Sequence, residues 1–195
     1  MTCTTNYLRL FQSLHLNTIE DFFNFVSQNF AYGWMNQNHQ LHTGTNDAES
    51  YYLQSPTELL NSKTGNCWDI TELCRCWFQT MTNLPIATYY IFYDDHAGCP
   101  SHTIITYKQS NQFHWFEPMF HSYPSLNCHG IHHYSTRQDL LQDAVQKIIN
   151  YQQYFQLLPD SINHANIHIY EYKQPPYHIN GYEMRNHINQ SHQIQ

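Results

Sequence analysis

A thiol at the start of a helix, a histidine opening a β-strand and a glutamate closing the next strand are the parts from which a thiol enzyme is made. The chain supplies one of each in that order. Lys63-Thr64-Gly65-Asn66-Cys67-Trp68-Asp69 reads as a loop that stops at Gly65, an N-cap at Asn66 and a helix whose first residue is Cys67. Asp69, three positions after the cap, gives a looser form of the capping box. Cys67, Ile70, Cys74, Trp77 and Met81 then recur at three- and four-residue steps, which predicts one apolar helix face of about four turns. At N1, unpaired backbone N–H groups and the positive end of the helix dipole favour a thiolate. The alternative reading of Cys67 is a small residue on a buried face, the commoner fate of a free cysteine.

A base and an orienting acid come from the hairpin further on. His102-Thr103-Ile104-Ile105-Thr106-Tyr107 and Gln112-Phe113-His114-Trp115-Phe116-Glu117 alternate as strands, and Lys108-Gln109-Ser110-Asn111 between them has the length of a hairpin loop. With that loop Tyr107 faces Gln112, and the same register sets His102 opposite Glu117, near enough for a carboxylate to hold an imidazole N–H. A one-residue slip would put the two on opposite faces. Taken singly, His102 reads as a strand-end histidine bonded to water and Glu117 as a solvated edge carboxylate. Together with Cys67 they read as nucleophile, base and orienting acid.

Local sequence around these residues resembles the transglutaminase-like superfamily of papain-like thiol folds. Ser55-Pro56-Thr57-Glu58-Leu59-Leu60 with Thr64-Gly65-Asn66-Cys67-Trp68-Asp69, then Pro100-Ser101-His102-Thr103, then Trp115-Phe116-Glu117-Pro118 carry the likeness. Glutamate stands where the family more often has aspartate. Tyr32-Gly33-Trp34, Gly130-Ile131-His132 and Tyr170-Glu171-Tyr172-Lys173-Gln174-Pro175 are similar to segments of small, uncharacterised transglutaminase-like proteins of Gram-positive bacteria, and the resemblance spans about Phe22 to His187. It implies an α+β fold with a papain/transglutaminase-like core, in which the nucleophile helix packs against an antiparallel β-sheet. It also implies a Cys67-His102-Glu117 triad acting through a thioester on amide bonds of a peptide or protein. The oxyanion would meet the N–H of Cys67 and one donor upstream of it. Gln54 is the first candidate, with Tyr52 and Trp34 behind it. Asp69 would raise the pKa of the thiol against the dipole, and reads as a cap. The same fold with weak or no turnover, serving as a peptide- or protein-binding module, is the competing expectation. An arylamine acetyltransferase would use the same three residue types, but the glycine- and arginine-rich sequence expected around them is missing.

The elements that must position these residues follow from the rest of the chain. Tyr7 to Leu16 predicts a short helix. Thr18, with Glu20 and Asp21 behind it, opens a second that ends near Tyr32-Gly33. Trp34 to Glu49 reads as a long loop, Tyr51 to Leu53 as a short strand, and Ser55-Pro56-Thr57-Glu58 as the start of a brief helix to about Leu60. Ile86 to Tyr93 is an aromatic and β-branched strand, Asp94 to Ser101 a turn, Ser135 to Phe155 a helix, and Ile167 to Tyr172 an edge strand. A single domain is expected over 1–195, with its core at about 18–175 and a polar, frayed tail from about 186.

Composition narrows the function classes. With 195 residues and 41% hydrophobic content the chain can bury a substantial core. A formal charge of −7 without a Lys/Arg cluster argues against nucleic acid or an anionic membrane as partner. No apolar run is long enough to span a bilayer, and Met1 to Leu16 lacks the pattern of a secretory signal. The six cysteines are therefore expected reduced, in a cytoplasmic protein. Cys99, Cys128, His129, His132 and His133 do not complete a zinc pattern, so no metal and no cofactor are expected. Cys74 and Cys76 read as core. The oligomeric state is open.

Overall fold

The computed structural model describes residues 4–44, 47–94, 100–120 and 123–194. Its fold is mixed α+β, and the chain divides into two compact units, Met1–Leu84 with Gln174–His187, and Pro85–Lys173 with Ile188–Gln195. No helix among the described residues is long and apolar enough to cross a membrane.

The first unit is mainly helical. Helix α1 (Thr4–Ser13) and α2 (Ile19–Asn29) lead to three two-residue strands, β1 (Ala31–Tyr32), β2 (Trp34–Met35) and β3 (Leu41–His42). Then come α3 (Pro56–Ser62), β4 (Thr64–Gly65) and α4 (Cys67–Met81). Three of the helix starts are capping boxes. Thr18 with Asp21, Ser55 with Glu58 and Asn66 with Asp69 each exchange side-chain and backbone bonds across three residues. Trp34–Glu49 is less of a loop than expected, because β2 pairs antiparallel with β3. Tyr51 makes only an isolated bridge to Asn36. The core is aromatic: the Phe22 ring stacks on Trp77 at 4.6 Å, Phe11 meets Phe22 edge-on, and the Trp77 indole N–H donates to the Leu16 carbonyl.

Helix α4 departs from the single apolar face. Every residue from Trp68 to Phe78 is buried, including Asp69, Thr71, Glu72 and Arg75. The buried charges are paired: Arg75 donates from Nε to Glu72 Oε2 at 2.9 Å and from Nη2 to Oε1 at 3.1 Å.

In the second unit, β5 (Ile86–Tyr93), β6 (Ser101–Gln109), β7 (Gln112–Glu117), β8 (Gly130–Tyr134) and β9 (Ile167–Glu171) form an antiparallel sheet. Helix α5 (Arg137–Tyr154) starts from the Thr136 cap and lays Leu140, Leu141, Ala144, Ile148 and Ile149 on Tyr89, Ile91, Ile104 and Trp115 of one sheet face. The tail is not frayed. Helix α6 (Gly181–Asn189), which belongs to the first unit as far as His187, opens with Asn180 and Glu183 bonding each other's backbone N–H, and buries Met184 and Ile188. Strand β10 (His192–Gln193) then pairs with β9, so β9 is not the edge. The sheet order is β10-β9-β5-β6-β7-β8.

The β6–β7 hairpin corrects the expected register. Its turn is Ser110-Asn111 alone, both residues at positive φ (51° and 63°), so Gln109 faces Gln112 and Ile105 faces Phe116. Two central residues at positive φ are the backbone that matches strand twist in a tight hairpin. Relative to the four-residue loop, β7 moves two residues along β6. A shift of two preserves the face on which each side chain lies.

Candidate functional site

Cys67 is set by a loop whose geometry is over-determined. Lys63 ends α3 in a left-handed conformation (φ 55°). Thr64 and Gly65 then pair in parallel with Ala31 and Tyr32, and the Gly33 N–H donates to the Gly65 carbonyl at 3.2 Å. A Cβ on Gly65 would lie 2.7 Å from Asp69 Cβ and 2.7 Å from Leu59 Cδ1, so only glycine fits where this loop crosses the helix it is about to enter. Asn66 Oδ1 accepts from the backbone N–H of Trp68 (2.9 Å) and Asp69 (3.3 Å). Cys67 follows as N1, half-buried, whereas Cys74, Cys76 and Cys128 are buried. The position favours a thiolate.

Asp69 is a cap, as its spacing implied. Its two carboxylate oxygens accept from the backbone N–H of Gln54 (2.9 Å) and Asn66 (3.0 Å). Burial pushes this carboxyl up from 3.8 to about 7, against the pull of those same bonds.

The three candidate oxyanion donors differ in what already occupies them. The Gln54 side chain is buried in the loop, its Nε2 donating to the Thr64 carbonyl and its Oε1 accepting from Ser62. Tyr52 donates its hydroxyl to Glu58 at 3.1 Å, and burial, helped by that carboxylate, raises it to about 12. The Trp34 indole N–H is buried with no hydrogen-bond partner among the described residues. Trp34 also follows Gly33, whose N–H is bonded to the residue two before Cys67, and its ring is held by stacking on His42 at 4.5 Å. A buried N–H without an acceptor is costly.

In the second unit the structure brings His102 and Glu117 together. The imidazole Nε2 lies 2.8 Å from Glu117 Oε2, and both residues are buried, 5% and 4% exposed. The two-residue shift makes them diagonal rather than directly opposed neighbours, still within reach of long side chains. Glu117 is oriented from its other oxygen too, since Oε1 accepts from the Met119 N–H at 3.2 Å. His102 alternates with Ile104, and Glu117 with Trp115, so the pair lies on the sheet face that α5 covers. Cys67 belongs to the first unit and the His102–Glu117 pair to the second.

Sequence reasoning overlooked the turn after Glu117. Phe120 has φ 62° and lays its ring 4.9 Å from the His102 imidazole. His129 Nδ1 binds the Met119 carbonyl at 2.8 Å, and Gly130, at φ 138°, pairs with Glu117. The only sequence signals were Pro118 after the acid and the glycine of Gly130-Ile131.

The histidines near Cys128 serve separate bonds. His132 Nε2 binds the Cys128 carbonyl, and His133 and His114 share an Nδ1–Nδ1 contact of 2.8 Å. Burial drives the Cys128 thiol up to about 12. Among the described residues no group of three His, Cys, Asp or Glu is placed to hold a metal ion. Cys99 lies outside the described residues. No family model, curated protein or solved structure matches the chain.

Proposed function

We propose that the chain is a thiol-dependent hydrolase or acyltransferase acting on amide bonds of peptides or proteins, of transglutaminase-like, papain-related construction. Cys67 is the nucleophile, His102 the base and Glu117 the orienting acid. The observation that carries the reading is the buried 2.8 Å His102–Glu117 contact, with the second carboxylate oxygen tied to Met119. A strand-end histidine and an edge carboxylate with no task would be solvated.

Glu117 holds Nε2, so Nδ1 is the nitrogen that takes the thiol proton. The thiolate adds to the amide carbon, and the oxyanion receives hydrogen bonds from the Cys67 N–H and the Trp34 indole N–H. The imidazolium returns its proton to the nitrogen of the leaving amine, and a thioester remains. Water or a second amine, deprotonated by His102, then attacks and releases Cys67. Water gives hydrolysis and an amine gives transfer.

The near-complete burial of His102, with Phe120 against its ring, favours a second reading: a binding module that keeps the fold without turnover. Alkylation separates the two. Iodoacetamide or a vinyl sulfone should label Cys67 near neutral pH much faster than Cys74 or Cys128, and His102→Ala should abolish the excess. Equal rates at all three cysteines would leave only the binding module. A second check is geometric. In His102→Cys, mild oxidation should join the introduced thiol to Cys67 as a disulfide, seen by peptide mapping, which requires Cα atoms within about 7 Å.

A further inference from the structure

The turn after β7 is held from three sides. Met119 gives its N–H to Glu117 Oε1, and its carbonyl takes the His129 Nδ1 hydrogen bond. Phe120 accepts the Tyr123 N–H at its carbonyl (3.1 Å) while its own backbone is left-handed, φ 62°. A bulky side chain at positive φ is disfavoured, because its Cβ crowds the following carbonyl, and such residues persist where the surroundings dictate them. Here the conformation has a visible product. It turns the Phe120 ring onto the His102 imidazole at 4.9 Å and 47°, with Tyr151 of α5 behind it at 4.3 Å. If Phe120 served only to pack against Tyr151, an ordinary backbone and any large apolar residue would suffice.

We propose that Pro118–Phe120 is a clamp on the His102–Glu117 pair, with Phe120 and His129 as positioning residues. Phe120 fixes the plane of the imidazole and keeps water from the Nε2–Oε2 bond. His129 holds Met119 so that its N–H reaches Glu117. This leaves Glu117 one rotamer, the one in which Oε2 meets Nε2. Gly130 allows β8 to run beside Glu117 at a backbone angle closed to other residues. The proposal rests on the thiol-enzyme reading for its purpose, and on this unit alone for its physics.

The test is the exchange of one proton in the full-length chain. With ¹⁵N-labelled histidine, the Nε2-bound proton of His102 should give a downfield resonance protected from solvent. Phe120→Ala should speed its exchange roughly tenfold or more while the remaining amide spectrum stays that of the folded protein. Phe120→Tyr, which keeps the ring, should restore protection. His129→Ala should act in the same direction, and His129→Asn, whose side-chain amide nitrogen sits where Nδ1 does, should rescue it. Unchanged exchange in a folded Phe120→Ala, or Phe120→Tyr as damaging as alanine, overturns the clamp. Should Phe120→Ala fail to fold, the His129 pair decides on the same resonance: loss in alanine with rescue in asparagine supports it, and no change in either overturns it. Failure of the thiol-enzyme reading looks different: Cys67 alkylation indifferent to His102→Ala, with the proton-exchange pattern intact.

Discussion

The thiol end and the dyad end of the proposed chemistry are built by opposite means. Cys67 is placed by its own neighbours: Gly65, the Asn66 cap and the Asp69 carboxylate lie within five consecutive residues, and backbone bonds to Gly33 and Gln54 confirm their position. His102 and Glu117 are fifteen residues apart, and meet only because the hairpin sets both side chains on one face of the sheet. Local capping tolerates errors elsewhere in the fold, whereas a cross-strand pair depends on register. The first end should therefore break through substitutions at the loop itself, and the second through the strands and turn that carry it.

The largest effect belongs to the dyad. His102→Ala should lower Cys67 alkylation, and any amidase or transamidase turnover, by roughly 10²- to 10⁴-fold, the range a positioned general base contributes. Glu117→Gln should follow it in direction with a smaller loss. A rate for His102→Ala within about twofold of wild type would dissolve the comparison, because the dyad would then have no thiol to serve. Next is Trp34→Phe, which removes an N–H that has no partner among the described residues and keeps an aromatic ring. Turnover should fall by about 10²- to 10³-fold, as when one oxyanion donor is lost, with thermal stability little changed. If the indole only packs, stability falls instead and turnover holds.

Gly65→Ala probes the other end by structure rather than chemistry. The added methyl meets Asp69 Cβ and Leu59 Cδ1 at 2.7 Å each, and the resulting overpacking should destabilise the chain by about 1–3 kcal/mol in urea melts. Reactivity of Cys67 should drop, while the His102 Nε2 proton resonance persists. Loss of that resonance together with the thiol reactivity would show that the two ends are not independently built.

How far each end could be read from sequence follows the same division. The Thr18 cap, the Ser55 and Asn66 capping boxes, the Cys67–Met81 helix and strands β5 and β7 are legible because each depends on residues within a turn or an alternation of its own. The hairpin register was not. Ser110-Asn111 lacks the glycine that announces a two-residue turn, so the polar stretch looked twice its length. The His102–Glu117 contact survived because the error was an even number of residues. Helix α6 went unread although Asn180 and Glu183 have capping spacing, since a polar tail with few apolar residues hides the two, Met184 and Ile188, that are buried. Strand β8 is a run of histidines and tyrosine whose pairing with β7 is visible only in three dimensions. Gln54, Tyr52 and Trp34 all lie upstream of Cys67, and the sequence does not show that the Gln54 side chain is already occupied. That its amide serves the Thr64 carbonyl is a tertiary fact.

The smallest expected effect is a pH profile, and it tests whether the cap at the thiol end carries charge. Asp69 ionises near 3.8 when exposed and is pushed up to about 7 by burial in the fold. Between those values the folded chain binds more protons at this site than the unfolded chain, so stability must fall as pH rises. Its contribution is fully present below about 3.8 and is lost as pH rises through about 7. Asp69→Asn keeps one oxygen acceptor but turns an amide toward the second backbone N–H. It should cost about 1–2 kcal/mol at acid pH, where the carboxyl is neutral in the parent. As pH rises the parent loses its advantage and the asparagine variant does not, so the two urea-melt curves should converge toward neutrality. Ionisation of Asp69 also sets a negative charge one turn into α4, opposing the dipole at Cys67. The alkylation rate of the variant, compared with the parent at the same thiolate-forming pH, should then be higher above about 7 and equal below it. Parallel stability curves across this range would mean that the two backbone donors keep Asp69 ionised throughout, and that the thiol works beside a permanent negative charge.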